Sequence, residues 1–168
     1  METDLIWPYG MKVSQVELVY KSRVKASERP VIKSSRDSFR LFLKYWSSGT
    51  IELLEEFKCM YLNRSNGVLA ISDNCKGGIT SVTVDKRLIC AIALKLNAVS
   101  LIVCHNHPSG ALIPSDADRD VTRGLIMSAN CMDFDLLDHL IISKAGYFSF
   151  SDHGLISHHG NRAYAKQN

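Results

Sequence analysis

The stretch AVSLIVCHNHPSGALIPSDADRD, residues 98–120, decides most of what can be predicted about the fold. Its first part is an almost unbroken apolar run that reaches His105, and such runs are typical of strands buried on both faces. Turn signals follow in PSG and at Pro114, and residues 115–132 then show the apolar spacing of a helix. The stretch therefore predicts a buried strand that ends in two histidines, a turn, and a helix that begins at Ser115.

The rest of the chain alternates predicted strands and helices around this stretch. Apolar patterns predict strands at residues 11–24, 55–63, 68–72, 98–107, 133–143 and 147–152. We expect a turn at 64–67 and a loop at 73–78. A helix is predicted at 84–97, with Asp85 at its start, and another at 34–49, capped by Ser34 or Ser35. The apolar side of the helix at 34–49 is made by Phe39, Leu41, Phe42, Tyr45 and Trp46. Together they predict a mixed α/β (α+β) domain in which helices flank a central mixed sheet.

Length and composition predict one soluble domain with short extensions. The 168 residues are 46% hydrophobic and 22% charged, which is ordinary for a globular protein. We expect an N-terminal strand and linker over residues 1–35, the domain itself over 36–157, and a polar tail over 158–168. The N-terminus has no signal-peptide pattern, and the apolar runs are too short to span a bilayer.

Charge and cysteine content exclude several classes of protein. The net charge of +3 is spread along the chain, so it does not indicate a nucleic-acid surface. The five cysteines are odd in number and form no CxxC pair, which argues against a disulfide framework and a cysteine zinc site. Most of them lie among apolar residues and are interpreted as small core side chains. A reducing, cytoplasmic setting is expected.

The histidines and the following helix start have the pattern of a metal site. His105 and His107 are two residues apart on a strand end, so both rings can lie on one face, and Asp118 falls in the first turn of the helix. Two histidines and one aspartate leave a fourth position for water on a zinc ion, which is the catalytic arrangement. Ser115 could donate a hydrogen bond to an oxyanion.

The same residues also permit plainer interpretations. Ser115 and Asp118 have the spacing of a capping box, which would explain both without any metal. An isolated His-x-His pair is more often a surface or core feature than a ligand pair. An HNH nuclease is excluded because its residues are dispersed over a ββα unit, and a zinc deaminase because its His-x-Glu and Pro-Cys-x-x-Cys motifs are missing.

The order of these motifs resembles one known family. His-x-His-Pro, seven residues, Ser, two residues and Asp is the JAMM motif of JAB/MPN domains, and His105, His107, Pro108, Ser115 and Asp118 fill it. The strings EEFKCMYLN, HNHPSG, LLDHLII and YFSFSDHG resemble the RadC branch of that superfamily. The resemblance covers about residues 36–155, and it implies a cytidine-deaminase-like JAB/MPN fold.

The resemblance also implies roles for individual residues. It implies one zinc ion per chain held by His105, His107 and Asp118, with Ser115 stabilising the tetrahedral intermediate. The catalytic glutamate would stand at the start of a core strand, where Glu56 fills the place. The adjacent Glu55 stays an alternative, because strand parity turns only one of the two inward. His139 is either a support of the site or a satisfied core histidine, and His153, His158 and His159 are expected to be solvated.

Two functions are compatible with the resemblance. The first is a zinc-dependent JAMM-type hydrolase that cleaves a peptide or isopeptide amide. The second is an accessory module that acts in DNA repair or on mobile elements through partner proteins. RadC proteins commonly carry an N-terminal helix-hairpin-helix region, whereas the first 35 residues here are predicted as a strand and a linker, so direct DNA binding is not expected. Two imidazoles and a carboxylate also suit divalent ions other than zinc.

Overall fold

The computed structural model describes residues 24–76 and 84–157. A five-stranded mixed sheet with the strand order β2-β1-β3-β4-β5 forms its centre. The strands are β1 (Glu56–Leu62), β2 (Val68–Lys76), β3 (Ser100–Asn106), β4 (Asp135–Ser143) and β5 (Gly146–Ser149). The helices are α1 (Ser35–Tyr45), α2 (Lys86–Lys95) and α3 (Asp116–Asn130), preceded by a 3-10 turn at Ala26–Glu28. The predicted α+β fold with a central mixed sheet is confirmed.

The middle of the sheet positions the ends of β1 and β3 side by side. β1 runs antiparallel to β2 and β3, β3 runs parallel to β4, and β4 runs antiparallel to β5. All seven residues of β1 and all seven of β3 are buried, as expected for central strands covered on both faces. Phe57 pairs with His105, so the start of β1 lies next to the histidines at the end of β3.

Helices cover both faces of the sheet and create two apolar cores. We call them the α2/α3 face and the α1 face. The α2/α3 face buries the side chains of Ile89, Leu125, Phe57, Cys59, Tyr61, Leu101 and Val103. The α1 face buries those of Phe42, Trp46, Met60, Leu62, Ile102, Cys104 and Leu140. Alternate residues of one strand therefore serve different cores, which is the period-two pattern of a strand.

Each helix begins at a residue that the sequence predicted as a cap. The hydroxyl of Ser34 accepts a hydrogen bond from the backbone N–H of Asp37 at 3.2 Å. The carboxylate of Asp85 accepts from Arg87 N–H at 3.0 Å, and Ser115 caps α3. Such caps satisfy backbone donors that have no partner within the helix. Among the helices of residues 24–76 and 84–157, none has the length and apolar character needed to cross a membrane.

Some predicted details differ from the structure. The loop predicted at 73–78 is wrong at its start, because β2 continues to Lys76. Its polar sequence is stabilised at the sheet edge, where Asp73 forms an ion pair with Lys58 at 2.5 Å. Tyr45 was predicted on the apolar side of α1 but is 62% exposed, because the helix ends there and the chain turns away.

The interpretation of most cysteines as small core side chains is confirmed for three of them. Cys59, Cys90 and Cys104 are buried and free, whereas Cys131 is exposed after the end of α3. Burial raises the pKa of the Cys59 and Cys104 thiols well above the ordinary value, so both stay protonated. The strand predicted at 11–24 falls outside the described residues except for Val24, and the tail predicted at 158–168 lies wholly outside them.

Candidate metal centre

The end of β3 and the turn after it present two histidines. His105 is the penultimate residue of β3 and is only 2% exposed. His107 follows the strand and is held by its backbone N–H, which donates to Ile142 O on β4 at 3.2 Å. Gly110 then takes a positive φ of 78°, which glycine adopts without strain, and donates to His107 O at 2.9 Å. The imidazole rings of His105 and His107 are therefore in contact at the end of the strand, as their spacing predicted.

The first turn of α3 supplies a carboxylate in a fixed orientation. Asp118 Oδ2 accepts hydrogen bonds from the backbone N–H of Ser115 at 2.7 Å and from its hydroxyl at 2.6 Å. The hydroxyl of Ser115 in turn accepts from Asp118 N–H at 3.2 Å, which completes a capping box. The capping interpretation of these residues is therefore confirmed, and it is compatible with a metal site because the box aims the other oxygen, Oδ1, at His105.

Three possible ligand atoms converge at spacings that suit a metal ion. His105 Nε2 lies 3.0 Å from His107 Nε2 and 3.1 Å from Asp118 Oδ1, and His107 Nε2 lies 3.6 Å from Asp118 Oδ2. In a tetrahedral site with bonds of about 2.0–2.1 Å, ligand atoms are about 3.3 Å apart. His105, His107 and Asp118 therefore form a group that could hold a metal ion.

The surroundings of His107 also favour metal binding. Its Nδ1 lies 2.7 Å from the carbonyl oxygen of Ala111. A carbonyl can only accept, so Nδ1 carries a proton and the lone pair of a neutral ring is on Nε2, which faces the site. A backbone carbonyl that orients the ligating ring in this way is the usual support of a metal-bound histidine.

Without a cation, the carboxylate of Asp118 and the imidazole of His107 stabilise each other's charged forms. Burial would raise the pKa of Asp118, but hydrogen bonds with His105 and His107 outweigh it and hold that pKa well below the ordinary range. The hydrogen bond with Asp118 raises the pKa of His107, against the opposing effect of desolvation, and the charge of Glu55 adds to the rise. The site has a negative electrostatic character that favours a cation.

The structure places Glu55, rather than Glu56, beside these ligands. A pocket of about 150 Å³ opens at this end of the α2/α3 face, and Glu55 lines it together with His105, His107, Ser115 and Asp118. Glu55 directly precedes β1 and is half-buried. Its carboxylate is thus the glutamate that shares a cavity with the candidate ligands.

Glu56 lies on the opposite, α1 face. It is 3% exposed, and its carboxylate accepts hydrogen bonds from Thr50 at 2.5 Å and from Lys58 at 2.9 Å. Lys58 also lies over the ring of Trp46, which belongs to the α1 core. The expectation that Glu56 faces the metal does not agree with this placement, because the parity of β1 turns it away. The alternative that the sequence left open, Glu55, agrees with it.

His139 of β4 contacts the site from behind. It is fully buried, and its Nε2 lies 2.8 Å from Nδ1 of His105. On its other side, Nδ1 lies 2.7 Å from the hydroxyl of Thr122 in α3. Desolvation lowers the pKa of His139 well below the ordinary value, and the charge of His105 lowers it further. Of the two interpretations of His139, the contact with a candidate ligand favours support of the site.

Two residues near the centre were missed by the sequence analysis. Thr122 follows Asp118 by four residues, one helical turn, and this spacing was the available signal. Asn106, between the two histidines, is fully buried and clamps the loop before β1. Its Nδ2 donates to Ile51 O at 2.7 Å and Leu54 O at 2.8 Å, and its Oδ1 accepts from Glu56 N–H at 2.7 Å. No local sequence pattern predicts hydrogen bonds between residues so far apart in the chain.

Comparison with known proteins agrees with this architecture. Residues 32–155 match the family described as the RadC-like JAB domain. The chain belongs to this family. The predicted resemblance is therefore confirmed, and the three candidate ligands, Glu55 and His139 all lie within the matched range.

Relatives of the RadC-like family match this chain over most or part of their length. A UPF0758 protein of Flavobacterium johnsoniae is 45% identical over 101 residues, which are 60% of this chain and 44% of that protein. The UPF0758 protein YfjY of Escherichia coli K12 is 36% identical over 129 residues, 77% of this chain and 79% of YfjY. A UPF0758 protein of Burkholderia mallei is 38% identical over 148 residues, 86% of this chain and 51% of the relative. The chain spans about half the length of the first and third relatives.

The remaining histidine of the described residues lies apart from the site. His153 is exposed and stacks on Phe148, with ring centroids 4.0 Å apart. Its Nδ1 bonds to Ser149 O at 2.8 Å, so it supports the turn after β5. His158 and His159 fall outside the described residues.

Proposed function

We propose that this protein is a zinc-dependent hydrolase of the JAMM type that cleaves a peptide or isopeptide amide. The convergence of His105, His107 and Asp118 in a pocket that Glu55 also lines is the observation that supports it. A ligand set with neither a carboxylate base nor an open side would support a purely structural metal instead. Here the pocket opens to solvent beside all three residues.

The residues that line the pocket have three different roles in the proposed reaction. A divalent ion held by the three ligands would supply Lewis acidity, which lowers the pKa of water and polarises a carbonyl. Glu55 accepts a proton from the attacking water and delivers it to the amine nitrogen as the carbon–nitrogen bond breaks. Ser115 donates its hydroxyl hydrogen to the oxyanion, which requires it to leave Asp118 Oδ2.

The surface next to the pocket suits an extended substrate. A second hollow lies on the other side of His107, between the loop before β1 and the turn between β4 and β5. Ser109 and an ion pair between Glu52 and Lys144, at 2.5 Å, line it. A chain that crosses His107 would occupy both hollows, which is the geometry expected for a peptide or isopeptide rather than for a small amide.

Metal content is the first test of the proposal. Purified, tag-free protein is expected to contain one zinc per chain, and Asp118→Ala and His107→Ala are expected to lose it. Glu52→Gln, in the neighbouring hollow, is a matched control that should keep the metal. Absence of metal from the wild type, or metal that survives both substitutions, would contradict the proposal and favour the accessory module acting through partner proteins.

Hydrolysis is the second test. The zinc-loaded protein is screened against peptide and isopeptide-linked substrates, with Glu55→Gln as the inactive variant and Glu56→Gln as its neighbour-matched control. Cleavage that requires Glu55 and the metal supports the proposal. Cleavage that persists unchanged in Glu55→Gln would contradict the role given to this residue. An association with DNA repair, which the RadC resemblance suggested, is a separate hypothesis.

A further inference from the structure

We infer that His139 and Thr122 are positioning residues, which hold His105 in the one tautomer that leaves its Nε2 free to bind a cation. The inference rests on the proposed metal site and deepens it. It assigns a role to two buried side chains that approach the site from behind, one on β4 and one on α3. The observation behind it is a continuous series of hydrogen bonds from Asp118 through Thr122 and His139 to His105. The donor and the acceptor of each bond follow from the bond before it.

The series of hydrogen bonds begins at a backbone carbonyl, that of Asp118. The hydroxyl oxygen of Thr122 lies 2.6 Å from Asp118 O and 2.7 Å from His139 Nδ1. Two oxygens at 2.6 Å repel unless a hydrogen lies between them, and a carbonyl has none to give. The single hydroxyl hydrogen of Thr122 is therefore committed to Asp118 O. Thr122 Oγ1 must then accept from His139, which places a proton on His139 Nδ1.

Burial decides the state of the other nitrogen of His139. The ring is fully buried, stacked on Phe150 with centroids 4.7 Å apart, and edge-on to Phe57 at 5.7 Å. Its two nitrogens contact a hydroxyl and an imidazole, neither of which is a counter-ion. A charged ring is costly in such surroundings, so His139 is neutral and its Nε2 carries a lone pair.

The last link fixes the tautomer of His105. His105 Nδ1 lies 2.8 Å from His139 Nε2, and because the latter can only accept, His105 must donate. The lone pair of a neutral His105 is then on Nε2, the atom that faces His107 Nε2 and Asp118 Oδ1. The opposite tautomer would direct a hydrogen into the site. The series of hydrogen bonds starts at the backbone of Asp118 and ends at His105, so it links two candidate ligands from different elements.

Matched substitutions test the inference through metal affinity. His139→Phe keeps a ring between Phe57 and Phe150 but removes the acceptor, and His139→Gln restores an acceptor. Thr122→Val removes the hydroxyl at nearly constant shape, and Thr122→Ser restores it. Zinc affinity, measured by competition with a chelator, is expected to fall about 10- to 100-fold in His139→Phe and less in Thr122→Val. The two restoring variants should recover part of the loss, which a purely structural role would not produce.

Nitrogen-15 NMR of the histidine rings in metal-free protein gives a readout that needs no metal. At a pH where the rings are neutral, His105 should carry its proton on Nδ1 in the wild type and populate both tautomers in Thr122→Val. A wild-type His105 protonated on Nε2, or unchanged zinc affinity in His139→Phe, would overturn the inference. If the wild type binds no zinc, the proposed function fails, but the NMR result still decides whether His139 and Thr122 set the tautomer.

Discussion

The two faces of the sheet treat adjacent glutamates in opposite ways. On the α2/α3 face, Glu55 borders a solvent-open pocket with three candidate metal ligands. On the α1 face, Glu56 is 3% exposed, forms an ion pair with Lys58 and accepts a hydrogen bond from Thr50. The chemistry of the two side chains is the same. What differs is the element that covers each face and the partners it brings, so one carboxylate is available for chemistry and the other is committed to the fold.

The largest expected difference between the two faces appears when each glutamate is replaced singly by glutamine. Glu55→Gln should lower kcat on an amide substrate by about 10²- to 10⁴-fold, because the positioned base is lost. Glu56→Gln should leave kcat within a few-fold of the wild type in the folded protein. Steady-state kinetics on the zinc-loaded variants measures both. Equal losses in the two variants would mean that the faces do not divide the roles as the structure indicates.

The α1 face should respond in stability instead of activity. Lys58→Met removes the ammonium that pairs with Glu56 at 2.9 Å and leaves a buried carboxylate, so the free energy of unfolding should fall by about 3 kcal/mol. The double variant Glu56→Gln/Lys58→Met removes both charges and should regain much of the loss. Urea unfolding of the metal-free proteins measures these changes. A double variant no more stable than Lys58→Met would argue against a mutual charge effect.

Asn106 connects the two faces, and its substitution should affect both by a smaller amount. Asn106→Asp keeps the acceptor for Glu56 N–H but removes the donors to Ile51 O and Leu54 O. Leaving these carbonyls unpaired should cost about 2 kcal/mol in the free energy of unfolding. Hydrogen exchange at residues 51–56 should become faster as the loop that carries Glu55 loosens. Unchanged exchange there would show that other contacts hold the loop.

The smallest expected effect is the pH dependence that His107 on the α2/α3 face adds to the free energy of unfolding. The pKa of His107 is raised above its ordinary value of 6.5, mainly by Asp118, so the metal-free native state binds a proton more tightly than the unfolded chain. This contribution is complete below pH 6.5 and is lost as the pH rises through the higher folded pKa. The free energy of unfolding should therefore decline across that window, by roughly 1 kcal/mol or less.

The control for this pH effect is a variant in which His107 itself is replaced. His107→Gln, studied in the presence of a chelator, should show a smaller decline above pH 6.5 than the wild type does. Desolvation would lower the pKa of Lys58, but hydrogen bonds to Asp73 and Glu56 outweigh it and raise that pKa above 10.5, so Lys58 contributes no slope in this range. Burial raises the pKa of Asp138 to about 7, which adds a decline that ends near that pH in the wild type and in His107→Gln alike. An identical decline in wild type and His107→Gln would assign the effect to another group.

The order of elements and the candidate ligands could be predicted because their signals are local. The apolar run of β3, the turn residues after it and the cap at Ser115 lie within one short stretch, and each follows from backbone geometry and nearby hydrogen bonds. The spacing of His105 and His107 follows from the period of a strand. Helix starts at Ser34 and Asp85 were predictable for the same reason.

The assignment of Glu55 could not be decided by the same reasoning. Local sequence shows that only one of two adjacent strand residues can face the site, but not which. That choice depends on which helix covers each face, and Lys58, Trp46 and Thr50 come together on the α1 face only after the sheet has formed. The extension of β2 through polar residues likewise depends on the pairing of Asp73 with Lys58, 15 residues away.

The sequence by itself determined the family, the α+β architecture and the triad His105, His107 and Asp118, because motif spacing, strand period and helix capping act over a few residues. Only the tertiary structure decided that Glu55 shares the pocket, that Asn106 clamps its loop, and that Thr122 and His139 stand behind His105. The physical reason is one of range. Hydrogen-bond partners 17 to 55 residues apart in the chain are chosen by the packing of whole helices and strands against the sheet, and no local pattern records that choice.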